Sequence, residues 1–172
     1  MDFLMQQRLE DMFFEADALI KQGKITDAIA ILEAILIENP EFGKAYNHLG
    51  WIYETKYFEF NKALDHYHKC LIYAPHYTPV YTNMSVILST MGKFEEQEKL
   101  IMQALEVPGI DRAAMQNEMG ILLELQGRYD NAILAFREAI RYTLVDANMD
   151  LYLKNIERCS RKRQLLDTDS AN

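Results

Sequence analysis

Residues 46–75 read YNHLGWIYETKYFEFNKALDHYHKCLIYAP, and this stretch decides the fold. Tyr46, Leu49, Gly50 and Tyr53 recur at helical spacing and form one apolar stripe. Ala63, Leu64, Tyr67, Cys70 and Leu71 form a second, and Pro75 ends the pair. Between them, Lys56-Tyr57-Phe58-Glu59-Phe60 is a turn. Two amphipathic helices joined this way pack closely only where their side chains are small, so Gly50 is expected to face Ala63.

The same pattern returns along the chain. The small residue of the first helix recurs as Ala16, Gly50, Ser85 and Gly120, and that of the second as Ala28, Ala63, Gln97 and Ala132. These intervals of 34 or 35 residues predict stacked helix pairs. Gly23-Lys24-Ile25, Gly92-Lys93-Phe94 and Gly127-Arg128-Tyr129 mark the turns of units one, three and four. Glycine there suits the left-handed conformation that ends a helix. The second unit's turn lacks glycine and carries one extra residue. Pro40, Pro75 and Pro108-Gly109 close the first three units. The reading is all-α: a solenoid of antiparallel helix pairs in a right-handed superhelix, about nine helices in all. Four repeats occupy residues 1–144 (about 9–42, 43–77, 78–112 and 113–144), and a capping helix 145–166, within a helical reading from Thr143 to about Leu166. Its inward stripe is Met149, Tyr152, Leu153, Ile156 and Cys159, and 167–172 form a disordered tail.

Composition narrows the function. A net charge of −8 disfavours nucleic acid and anionic membranes as partners. No apolar run approaches the roughly 20 residues that span a bilayer. The start of the sequence, with Asp2 and no basic lead into an apolar run, does not read as a secretory signal. Cys70 and Cys159 have no metal or redox spacing and read as helix packing residues. The expected location is the cytoplasm. His66 and His68 point to different sides of one helix, so they cannot share an ion, and no cofactor is expected. No catalytic triad order, phosphate loop or zinc motif occurs, and the chain is not expected to be an enzyme.

With these landmarks in place, the chain resembles a tetratricopeptide repeat protein over about residues 9–144. The match is fullest in Tyr46, Leu49-Gly50, Tyr53, Ala63, Tyr67, Cys70 and Pro75, and again in Met119-Gly120, Gly127, Tyr129, Ala132, Phe136 and Ala139. The third unit is weakest, with Ser85 and Gln97 at its small positions. The resemblance implies a scaffold or adaptor that holds a partner's extended peptide or helix in a concave groove.

At 100° per residue, the flank opposite the partner helix carries the candidate binding residues. These are Phe13, Phe14, Asp17 and Ile20; Asn47, His48, Trp51 and Glu54; Thr82, Asn83, Val86 and Ser89; and Asn117, Glu118, Ile121 and Glu124. Asn47, Asn83 and Asn117 recur at nearly one place, where an amide can donate to and accept from a peptide backbone. They equally fit a bland preference of the repeat for asparagine. Trp51, Val86 and Ile121 form either an apolar recognition strip or packing between first helices. The family's clamp for chaperone C-terminal tails needs cations. The corresponding places hold Phe13, Asp17, His48, Pro79 and Asn83 in one register, and Asn47, Trp51, Asn83, Ala114 and Glu118 in the other, so that ligand is disfavoured. Asp17, Glu54, Glu118 and Glu124 make the groove acidic, and the expected ligand is neutral or basic and partly apolar. Lys154–Arg163, locally +4, reads as a solubilising cap, or as a contact to an acidic protein, RNA or a second copy. A homo-oligomer is the alternative to the adaptor.

Overall fold

The computed structural model describes residues 3–169. Among them are nine α-helices: α1 (Phe3–Lys21), α2 (Ile25–Glu38), α3 (Gly43–Ile52), α4 (Phe60–Tyr73), α5 (Pro79–Thr90), α6 (Phe94–Leu105), α7 (Arg112–Leu125), α8 (Tyr129–Tyr142) and α9 (Asp146–Asp169). The chain divides into two compact units, one running through Ile87 and the other from Leu88 on, with the boundary inside α5.

In the first unit, α1 pairs with α2 and α3 with α4. The core gathers Leu9, Phe13, Ala16, Leu32, Ile35, Phe42, Ala45, Leu49 and Ile52. The α1–α2 turn shows why glycine ends the first helix. Gly23 sits at φ +76°, its N–H donates to the Ile20 carbonyl at 2.9 Å, and the Lys24 N–H donates to the Leu19 carbonyl at 2.9 Å. This paired closure satisfies carbonyls that the ending helix leaves bare. In the second unit it recurs at Gly92 and Gly127.

The α3–α4 turn solves the same problem without glycine. After Ile52 the helix widens into a π turn over Tyr53–Tyr57, which takes up the extra residue. Phe58 then adopts φ 57° and ψ 29°, and its N–H, with that of Glu59, reaches back to the Tyr53 carbonyl. Phe58 is the one non-glycine residue at positive φ among the described residues.

At the close helix approach the nearest neighbour is an aromatic ring. A Cβ on Gly50 would lie 2.6 Å from Cε1 of Tyr67, so the nearest neighbour of Gly50 is this ring. Gly120 repeats the arrangement in the second unit, where a Cβ would meet the Phe136 ring at 2.5 Å. Tyr67 and Phe136 are both fully buried. The small residue thus makes room for the aromatic of the second helix.

In the second unit α6 packs on α7, α7 on α8, and α8 on α9. Leu123, Ala132, Ile133, Ala135, Phe136 and Cys159 form one cluster, and Ala113, Ala139 and Tyr152 another. Two expectations about α9 are corrected. The helix starts at Asp146, after an extended Thr143, and continues through Asp169, so residues 167–169 of the expected tail are helical while 170–172 lie outside the described residues. Its inward face is Tyr152, Asn155 and Cys159, with Ile156 half-buried, whereas Met149 and Leu153 are exposed. The face is turned because α9 packs on α8 while its Asn155 and Arg158 bond to α7.

The left-handed conformation costs a side-chain-bearing residue about 1 kcal/mol, and Phe58 is 71% exposed, so it returns little packing. Phe58→Gly is expected to stabilise the protein and raise Tm by about 2–4 °C in thermal melts followed by circular dichroism. Phe58→Ala should bring no such gain.

Candidate functional site

In the first unit, a cleft of about 400 Å³ opens along α1, α3 and the start of α5. Its walls are Asp17, Ile20 and Lys21 from α1, Asn47, His48 and Trp51 from α3, and Tyr77, Pro79 and Asn83. Six predicted site residues (Asp17, Ile20, Asn47, His48, Trp51 and Asn83) therefore share one concavity.

Phe13 does not join them. It is buried in the core, its ring 5.7 Å from that of Phe42 and edge-on to His48 at 4.5 Å, so it supports the cleft from behind. The Asp17 carboxylate accepts from Lys21 Nζ at 2.6 Å and lies 3.4 Å from His48 Nε2. The Lys21 bond leads in holding its carboxyl below the usual range, with His48 assisting against burial. Burial pushes the His48 imidazole down, against the pull of Asp17. The floor is an amide pair: Asn83 Nδ2 donates to Oδ1 of the buried Asn47 at 3.1 Å.

Trp51 is half-buried, packed against the core on one side and lining the cleft on the other, with Lys56 Nζ 5.1 Å from its ring centroid. Glu54 stands apart from the cleft. It accepts the Tyr67 hydroxyl at 2.6 Å, and burial raises its carboxyl. Val86 is exposed in the first unit, while Ile121 is half-buried against the core of the second. Lys21, Tyr77 and Pro79 line the cleft without having been read as site residues. Tyr77 and Pro79 precede or begin their helix, outside any flank pattern.

The second unit has its own cluster. Glu124 is buried, and its two oxygens accept from Arg158 Nε (2.7 Å) and Nη2, with Lys162 Nζ also 2.8 Å from Oε1. The Arg158 guanidinium, aided by Lys162, holds this carboxyl at about 2. Asn155 Nδ2 donates to Asn117 Oδ1 at 3.0 Å, and Arg158 Nη1 donates to Asn155 Oδ1 at 2.8 Å. Glu118 is half-buried beside them on α7. The acidity expected of this face is corrected accordingly, because the Glu124 charge is compensated from α9. Arg158, Lys162 and Arg163 of the basic run hold the chain's own Glu124 and Asp130. Asn155 was legible as a fourth member of the asparagine series, 38 residues after Asn117, but an inward stripe read from apolar residues passes over it.

Paired helices, glycine-ended turns and small-residue contacts are what one family of repeats combines. Models described as tetratricopeptide repeat match residues 15–56, and 78–109 with 113–144. The chain belongs to the tetratricopeptide repeat family. Solved structures of this family share its fold as an all-α solenoid. MamA superposes with a TM-score of 0.75 at 16% identity, over 93% of this chain and 85% of that one. YrrB, described as a tetratricopeptide protein with an unusual peptide-binding site, gives 0.71 at 16% over 93% and 84%. A thermophilic tetratricopeptide protein of Thermus thermophilus gives 0.69 at 17% over 89% and 87%. At these identities the likeness is one of fold. No curated protein matches the sequence. No helix among the described residues of this tetratricopeptide chain is long and apolar enough to cross a membrane.

The Glu124 cluster carries a pH signature. Its carboxyl titrates at about 2 when folded against an ordinary 4.5, so its stabilisation is complete above about pH 4.5 and is lost as pH falls toward 2. Arg158 and Lys162 are half exposed, which screens the pair. Glu124→Gln should cost about 2 kcal/mol in urea titrations at pH 7, and the gap to wild type should close as the pH is lowered from 4.5.

Proposed function

We propose that this tetratricopeptide protein is a non-catalytic adaptor, working in the cytoplasm, that holds a neutral, partly apolar segment of another protein. The single observation carrying this reading is the first-unit cleft. Its volume of about 400 Å³ falls in the range of ligand sites, about 300–1,000 Å³. Ile20, Trp51, Tyr77 and Pro79 give it apolar walls, and Asn83 gives it a polar contact already oriented by Asn47. Its one carboxylate, Asp17, is matched by Lys21, which favours an uncharged ligand over a basic one. Trp51 takes an apolar side chain, and Asn83 takes backbone. In the second unit, Asn117 is the corresponding backbone contact.

The test begins with affinity capture from native lysate by wild type and by Asn83→Ala, followed by titration of the captured partner's binding segment against Trp51 fluorescence. Asn83→Ala should weaken binding about fivefold. Trp51→Ala, titrated calorimetrically, should weaken it about 30-fold. Both losses should fall mainly on the dissociation rate, with the helical circular dichroism signal intact. Equal capture by wild type and Asn83→Ala would count against the cleft, and unfolding of Trp51→Ala would make that residue packing alone. Capture of only the protein itself would favour self-assembly.

A further inference from the structure

Asparagine can turn either end of its amide toward a neighbour, so its polarity at a binding face is set by what holds it from behind. In the second unit that support is a chain of bonds with one possible direction. Arg158 has donors only, and its Nε and Nη2 are fixed on the two oxygens of buried Glu124. Its remaining Nη1 therefore points a donor at Asn155, which must answer with Oδ1, at 2.8 Å. That turns Asn155 Nδ2 toward α7, where it donates to Asn117 Oδ1 at 3.0 Å. Reversing Asn155 would set two donors face to face.

We propose that Arg158 and Asn155 are positioning residues that fix the Asn117 amide with its carbonyl toward α9 and its N–H group outward, so that this face donates to a backbone carbonyl of a bound segment. Asn155 is only 4% exposed and acts through Asn117. In the first unit the half-buried member of the pair is the donor: Asn83 commits its Nδ2 to Oδ1 of the buried Asn47. Asn83 and Asn117, which look equivalent in the repeat, thus differ: the first donates within the chain where the second accepts. The inference rests on the adaptor reading above.

Side-chain amide hydrogen exchange, measured by nuclear magnetic resonance on the full chain, tests the relay directly. In wild type the Asn155 Nδ2 protons should exchange slowly and those of Asn117 quickly. Asn155→Asp keeps the acceptor for Arg158 but removes the donor, so Asn117 should turn round and its Nδ2 exchange slow by about tenfold. Arg158→Lys keeps a charge on Glu124 but cannot also span to Asn155, and should give a second set of Asn117 side-chain signals. Slow Asn117 exchange in wild type, or no response to either substitution, overturns the relay. For binding, peptides selected on wild type from a random display library serve as the probe. Asn155→Asp should weaken them about fivefold, as should Asn117→Asp. If Asn83→Ala weakens them and Asn155→Asp does not, this inference fails alone. If neither does, or none can be selected, the adaptor reading fails with it.

Discussion

Two of the helix pairs depend on a place where one backbone comes within contact of an aromatic ring. Gly50 against Tyr67 and Gly120 against Phe136 leave no room for a Cβ. Both rings are completely buried, and burying such a side chain contributes about 1.5–3 kcal/mol. The contact also fixes the rotation of the first helix about its axis. Once that rotation is set, the opposite flank must face away from the pair. In the first unit this flank of α3 carries Asn47, His48 and Trp51, so the α3 wall of the cleft follows from the same contact that holds the pair together.

The sites in the two units rest on different polar devices. In the first, Asp17 is balanced by a neighbour one turn away on its own helix, and the amide pair links α3 to α5. In the second, compensation comes from a helix that belongs to no complete pair. Through Glu124, Asn117 and Asp130, α9 is tied to α7 and α8 by charge and amide bonds as well as by Tyr152 and Cys159.

Much of this was legible because repetition supplies its own controls. The glycine at three of the four turns and the small residue in each first helix recur, and so do their physical reasons. Where the template ended, so did the legibility. Periodicity assigned Gly50 to a face but did not single out Tyr67, one helical turn beyond Ala63, as its nearest neighbour. Phe13 occupies a flank position by angle, yet a ring beside Phe42 and His48 gains more by closing the core. Asn155 escaped because its burial depends on Asn117 and Arg158, the first of them far away in sequence. The acidity of Glu124 was misjudged for the same reason: its counter-charges lie on another helix.

The π turn before Phe58 has a consequence for how such a chain can change over generations. The extra residue lies between Gly50 and Ala63, inside the helix and not in the connection that follows it. Tyr67 still meets Gly50, just as Phe136 meets Gly120 in a unit one residue shorter between its landmarks. A single-codon insertion at the end of a first helix is therefore absorbed where it occurs, and the residues beyond it keep their alignment. Length variation among copies of the repeat is tolerated at this joint, provided the residue after the widened turn can adopt the left-handed conformation.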